Sequence, residues 1–267
     1  LEHGPRQQAF RARLRESGIV VATVRDAGEL QVAVLHALTD QRNRQVQRRG
    51  PVWSLPPLRG DEGDRENLIE ALVTAVLARD VAAVGVTTGL VGAGGFGKTT
   101  LARMTVHDPR IREHFTDGAL WVSVGEEASG PDLAAKLISA ARLFDPAAAE
   151  VTDPLAAGAT LARAIAGLRV LLVVDDVWST GQVEPFLIDG GAGNGDVVRL
   201  FTTRQHHVLP ASVTAVSVDQ MAEVEARQLL AAGLHGLSTG LVATALRATG
   251  RWPVLLSLVN GAVRDAV

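Results

Sequence analysis

The chain has 267 residues, 47% of them hydrophobic, which is room for one large domain or two smaller ones around a sizeable core. Its net charge of −3, from 26 basic and 29 acidic groups, gives no global attraction to nucleic acid or to a membrane surface, so neither is expected as a direct partner. Cysteine is absent, which excludes disulfides and thiolate metal sites and suits a reducing cytoplasm; no apolar run reaches the roughly 18 residues of a membrane span, and the start lacks a signal-peptide pattern.

Residues 1–40 read as helix, strand, helix: Phe10 and Leu14 before a stop at Gly18, then Ile19–Val24, then Glu29–Leu38. A lone strand cannot bury both faces, so this unit is either the tail of an N-terminal α/β domain or an extra layer on the main sheet. It resembles the end of a TIR-like domain. Residues 41–57 are polar, basic and proline-rich and read as a linker, whose arginines suit a solvated connector better than a nucleic-acid patch. A separate domain is then expected over 58–220. It opens with a helix from Asp64 that carries Leu68, Leu72 and Val76 on one stripe, with Ile69, Val73 and Leu77 beside it.

Val81–Val91 is a Val-rich run suited to a buried parallel strand, and Gly92-Ala-Gly-Gly-Phe-Gly-Lys-Thr-Thr100 follows it directly. The pattern G-x-x-x-x-G-K-[ST] is met by Gly92, Gly97, Lys98 and Thr99, with a helix-compatible stretch to Val106, which is the strand–loop–helix setting a P-loop requires. Gly94, Gly95 and Gly97 permit the backbone turns that aim successive N–H groups at phosphate. Phe96 and Thr100 complete the loop and the helix start. Lys98 supplies a point charge for the β- and γ-phosphates, and the Thr99 hydroxyl is a ligand for Mg²⁺. The chain has two lysines, Lys98 and Lys136, among many arginines, so a lysine at 98 points to a position where arginine's planar fork does not fit.

Further strands are expected at Gly118–Val124, Val170–Trp178, Val197–Arg204 and Val213–Val218. Helices lie between them, one entered at Ser129 and Pro131 and one running from Asp153-Pro154 to Gly167. Strands alternating with helices give a five-stranded parallel α/β sheet covered on both faces. From Met221 onward there are three helical stretches, 221–233, 239–248 and 253–265, which predict a small all-helical domain over 221–267.

Ligands of such sheets bind at the carboxyl ends of the strands, and the polar motifs fall there. Asp175 and Asp176 end an apolar strand, a place where packing alone does not put two carboxylates. The first is a candidate Mg²⁺ ligand and the second a candidate to orient or deprotonate attacking water. Thr202-Thr-Arg204 ends the next strand, so Arg204 points to the same crevice as a γ-phosphate sensor.

Taken in order, GGFGKTT, Trp121-Val-Ser-Val-Gly, Leu171–Trp178, Leu200-Phe-Thr-Thr-Arg204 and Pro253-Val-Leu-Leu-Ser257 resemble the NB-ARC class of STAND ATPases, over residues 52 to 267. The resemblance implies an ATP/ADP switch in which Pro253 packs on adenine, Ser257 lies on the phosphate side and Arg65 precedes the first helix of the site. It also implies a homo-oligomer in the activated full-length protein, with effector and sensor regions, the latter WD or TPR repeats, elsewhere in the same polypeptide. The winged-helix domain that bears a histidine lock in this class lies outside these 267 residues. One departure is local: the usual G-x-P is here Gly250-Arg-Trp-Pro253, with the glycine one place early. The function expected is slow Mg²⁺-dependent ATP hydrolysis that sets assembly or effector state, in bacterial immunity or regulation. The alternative is an ADP-bound scaffold without significant hydrolysis.

Overall fold

The computed structural model describes residues 26–34, 37, 50–58, 65–78, 82–87, 95, 97–189, 196–218, 220–234 and 236–266. The chain forms two compact units, Leu1–Arg48 and Arg49–Val267. In the first, residues 27–34 are helical, and Asp26 caps them by accepting the Glu29 N–H at 2.8 Å on its side chain. The helix and strand expected over residues 1–24 lie outside the described residues.

The second unit is built on one parallel sheet in the order β1-β3-β4-β5-β2-β6. Its strands are β1 (Val52–Ser54), β2 (Ala83–Thr87), β3 (Gly118–Ser123), β4 (Val170–Val177), β5 (Val197–Thr203) and β6 (Thr214–Ser217). Among the described residues this sheet has six strands rather than five. The extra one, β1, lies in the stretch read as a linker. It pairs with β3 from Val52↔Gly118 to Ser54↔Leu120, and the Arg112 guanidinium covers the Trp53 ring at 4.7 Å. An edge position explains how a strand can sit between Pro51 and Pro56, since only one side of it must donate to the ladder.

Helices α1 (Glu66–Leu77) and α2 (Lys98–Val106) bury Leu72, Val73, Val76, Leu101 and Ala102 against β2, β4 and β5, forming the core that carries the site. A short α3 (Pro109–His114) follows, started by Asp108, which accepts the Arg110 N–H at 2.9 Å, with Pro109 in the first turn. Helices α4 (Gly130–Phe144) and α5 (Pro154–Ile165) pack together through faces rich in Leu and Ala, and α6 (Thr180–Val183) leads into a 3₁₀ turn over Glu184–Leu187.

Past the sheet, α7 (Glu223–Ala231), α8 (Thr239–Thr249) and α9 (Pro253–Ala266) enclose their own cluster of Met221, Ala226, Leu230, Leu246 and Leu256. Asn260 of α9 donates to the carbonyls of Leu230 and Ala232 at 2.8 Å each, which ties α9 to the end of α7. Among the described residues no helix is long and apolar enough to cross a membrane.

Candidate functional site

Gly97 caps the start of α2 in a left-handed conformation (φ 82°), and its carbonyl accepts the Leu101 N–H at 2.7 Å. The first turn of α2 therefore leaves its N–H groups directed outward at the sheet's carboxyl edge, the polarity that favours an anion. Lys98 stands in that turn, mostly buried. Burial first, and the nearby Arg204 charge second, hold its ammonium pKa below the ordinary lysine value, against the opposing pull of Asp176 and Asp175.

The acid pair is presented by an irregularity in the sheet. Between Val174↔Phe201 and Val177↔Thr203, Asp175 and Asp176 of β4 stand opposite the single Thr202 of β5. A straight strand would send consecutive side chains to opposite faces; the bulge, with Asp176 left-handed at φ 59°, re-aims them. Thr202 pins the arrangement: its hydroxyl donates to Asp175 Oδ1 at 2.6 Å and accepts the Asp176 N–H at 2.9 Å. Asp175 Oδ1 also accepts from Thr99 Oγ1 at 2.9 Å. Burial pushes the Asp175 carboxyl above the usual carboxylate range, although the bonds from Thr202 and Thr99 pull the other way.

Arg204 places Nε 3.9 Å from Asp176 Oδ1 and lays its guanidinium on the Trp178 ring at 4.7 Å. Trp178 is fixed in turn by the buried Gln182, which accepts the Trp178 N–H at 2.7 Å and donates to the carbonyls of Gly125 and Ala128 at 2.9 Å each.

Opposite these groups stands the start of α9. The Val254 N–H donates to the Gly95 carbonyl at 3.2 Å, and a Cβ on Gly95 would come within 2.5 Å of Val254 Cγ1, so only glycine allows this approach. The result is a cavity of about 420 Å³. Its walls carry Gly95, Gly97, Lys98, Thr99, Thr100, Asp176 and Arg204 from the sheet side, and Arg65, Pro253 and Ser257 from the other. Asp175 stands one hydrogen bond behind Thr99. Gly94 and Phe96 lie outside the described residues.

The NB-ARC domain family matches residues 65–232, more than half of the chain. The chain belongs to the NB-ARC family. It is 30% identical over 148 residues to the disease resistance protein RGA2 of Solanum bulbocastanum, and 33% identical over 166 residues to the regulatory protein AfsR of Streptomyces griseus. These alignments cover 55% and 60% of this chain, which spans 15% and 16% of the length of the two relatives. A STAND protein with a tetratricopeptide repeat sensor from Pyrococcus horikoshii shares the fold at a TM-score of 0.55 and 17% identity, over 78% of this chain and 31% of that one. The chain thus carries an NB-ARC domain with the P-loop α/β fold of that structure, and its family is one of nucleotide binding.

Several residues of the NB-ARC site have no place in the motif reading. Thr202 lies in the strand end Thr202-Thr-Arg204, but only the β-bulge gives its hydroxyl two partners. Gln182, Arg103, Met221 and Glu225 carry no motif. Arg65 is buried at the start of α1 with its Nε 3.7 Å from Glu225 Oε2, and the same Glu225 oxygen accepts the Ala222 N–H at 2.9 Å at the head of α7. The displaced glycine also finds its account. Gly250 and Arg251 are both left-handed (φ 57° and 58°), so the extra residue before Pro253 is absorbed by two consecutive left-handed residues; the Trp252 N–H closes the turn on the Thr249 carbonyl at 3.1 Å, and the Met221 N–H ties it to the start of the helical segment through the Arg251 carbonyl at 3.1 Å.

Proposed function

We propose that this NB-ARC chain is the nucleotide-operated part of a signalling switch, in which ATP is bound, slowly hydrolysed with Mg²⁺ and retained as ADP. The observation that carries the proposal is the shared cavity: Lys98, Thr99, Asp176 and Arg204 face Pro253 and Ser257 across one space at the carboxyl edge of the sheet. In this reading Lys98 and the N–H groups around Gly95 and Gly97 hold the phosphates, Pro253 packs on adenine, and Ser257 and Arg65 complete the nucleotide's cradle. Asp176 orients the attacking water and accepts its proton, while Arg204 senses the γ-phosphate.

The donor set fits Mg²⁺. The Thr99 hydroxyl and the Asp175 carboxylate are hard oxygen ligands held 2.9 Å apart, and Mg²⁺ commonly takes one or two carboxylates together with substrate phosphate oxygens. Among the described residues no group of three or more His, Cys, Asp or Glu side chains competes as a metal site. Bound there, Mg²⁺ supplies charge neutralisation for the phosphate chain. Homo-oligomerisation on activation, effector and sensor regions in a longer polypeptide, and a cytoplasmic role in immunity or regulation belong to the same proposal. The names of the plant and Streptomyces relatives support it.

One observation favours a second reading, a scaffold that holds ADP without significant hydrolysis. Arg204 rests on Trp178 and beside Asp176, so the sensor occupies the acid that would orient water. Single-turnover hydrolysis of labelled ATP separates the two. The switch reading expects slow turnover that Asp176→Asn lowers by roughly 10² while ATP still binds. Undetectable turnover in the parent protein establishes the scaffold instead.

A further inference from the structure

Arg103 lies one helical turn beyond Thr99 on α2 and is mostly buried, 8% exposed, on the wall of the cavity. Helical side chains lean toward the N-terminus of their helix, so Arg103 reaches back toward the turn of Thr99 and Thr100. Its Nε is fully enclosed and has no hydrogen-bond partner, and among the described residues no carboxylate forms an ion pair with the guanidinium. An enclosed Nε–H left without an acceptor is costly, and the residue lines the cavity, where an anion would complete the guanidinium. Its charge reaches Asp175 through space only. Along α2 the wall changes from the hydroxyls of Thr99 and Thr100 to Met104, which Met221 and Leu229 continue as an apolar surface, and Arg103 stands at that change.

We infer that Arg103 is a nucleotide-binding residue that contacts the part of the phosphate chain common to ADP and ATP, at the junction between the phosphates and the apolar end of the cavity. The inference rests on the nucleotide-binding reading above. Its chemistry differs from that of Lys98 and Arg204. Lys98 serves the outer phosphates and Arg204 the γ-phosphate, whereas Arg103 adds a charge-assisted contact that does not distinguish the two nucleotides. Without a ligand, a mostly buried guanidinium whose Nε has no acceptor is a liability to the fold.

The test is calorimetric titration of ADP and ATP into the parent protein, Arg103→Met, Arg103→Lys and Lys98→Ala, with thermal unfolding of each nucleotide-free protein. Arg103→Met should weaken both nucleotides equally, by roughly tenfold to a hundredfold. Arg103→Lys should recover part of that loss, and nucleotide-free Arg103→Met should melt no lower than the parent. Affinities within about twofold of the parent, or a loss confined to one nucleotide, overturn the inference. So does a lower melting temperature with unchanged affinity, which makes Arg103 a structural counter-charge for Asp175. If Lys98→Ala loses binding and Arg103→Met does not, the nucleotide reading stands and the Arg103 inference falls. A parent protein that binds neither nucleotide overturns both.

Discussion

Thr99 Oγ1 donates a 2.9 Å hydrogen bond to Asp175 Oδ1, which joins the first turn of α2 to the end of β4. Asp175 accepts a second bond from Thr202, yet burial outweighs both and holds its carboxyl above the usual range. A carboxyl whose folded pKa exceeds its unfolded value of about 3.9 binds its proton more tightly in the folded state, so its contribution to stability is lost as pH rises through that window. Asp175→Asn keeps an oxygen for both hydroxyls and removes the charge. The nucleotide-free variant should therefore unfold at a higher temperature than the parent at pH 7, with a smaller gain at pH 4. An equal gain at both pH values, or a loss at pH 7, would show that burial does not govern this carboxyl. The same substitution should weaken Mg²⁺-dependent ATP binding.

The stacking of Arg204 on Trp178 competes with any contact between Arg204 and a γ-phosphate. Such a stack is worth about 0.5–1 kcal/mol at a partly exposed site, or at most roughly fivefold in affinity. In the parent protein ATP and ADP affinities should differ by less than about tenfold, because the other cavity groups meet parts that both nucleotides share. Trp178→Leu should raise the preference for ATP by up to about fivefold in paired titrations. An unchanged ratio means that the stack does not restrain Arg204.

Arg251 occupies a left-handed turn that glycine adopts without strain, whereas an L-residue there carries roughly 1–2 kcal/mol. Arg251→Gly should stabilise the protein by about 0.5–1 kcal/mol in denaturant unfolding, once the greater entropy of glycine in the unfolded chain is subtracted. A net loss of stability would mean that the Arg251 side chain contributes more than its backbone strain removes.

Gly95 and Gly97 have nearly the same left-handed φ, 80° and 82°, but different surroundings. A Cβ at 95 meets Val254, whereas one at 97 meets nothing within 4 Å. Both alanine variants should lose stability through strain, and Gly95→Ala should lose about 1–3 kcal/mol more, since α9 must shift away. Thermal unfolding without nucleotide checks this. Equal losses would mean that the contact between the P-loop and α9 carries no energy.

The sheet and the cavity floor were legible because their residue types are dictated one at a time. Val170–Val174 has to be apolar to lie between two strands, and Gly97-Lys98-Thr99 has no packing reason to exist. The edge strand was not legible: Val52–Ser54 is too short for alternation to register and is set among prolines. Nor was the bulge, since two residues facing Thr202 leave no mark in composition and are fixed only when β4 and β5 pair. Gln182 and Arg103 read as ordinary polar helix residues. The loop over Gly125–Ala128 encloses Gln182 through bonds distant in sequence, and Arg103 is mostly buried in the cavity wall, which forms only once the chain has folded.

The most direct measurement of the central claim is a calorimetric titration of ATP and ADP, with Mg²⁺, into the parent protein and Lys98→Ala. Saturable binding of both nucleotides at a single site is expected in the parent, with a loss of several kcal/mol, to the point of no measurable heat, in the variant. Equal affinities in the two proteins, or no binding by the parent, would contradict the assignment of the cavity at Lys98 as a nucleotide site.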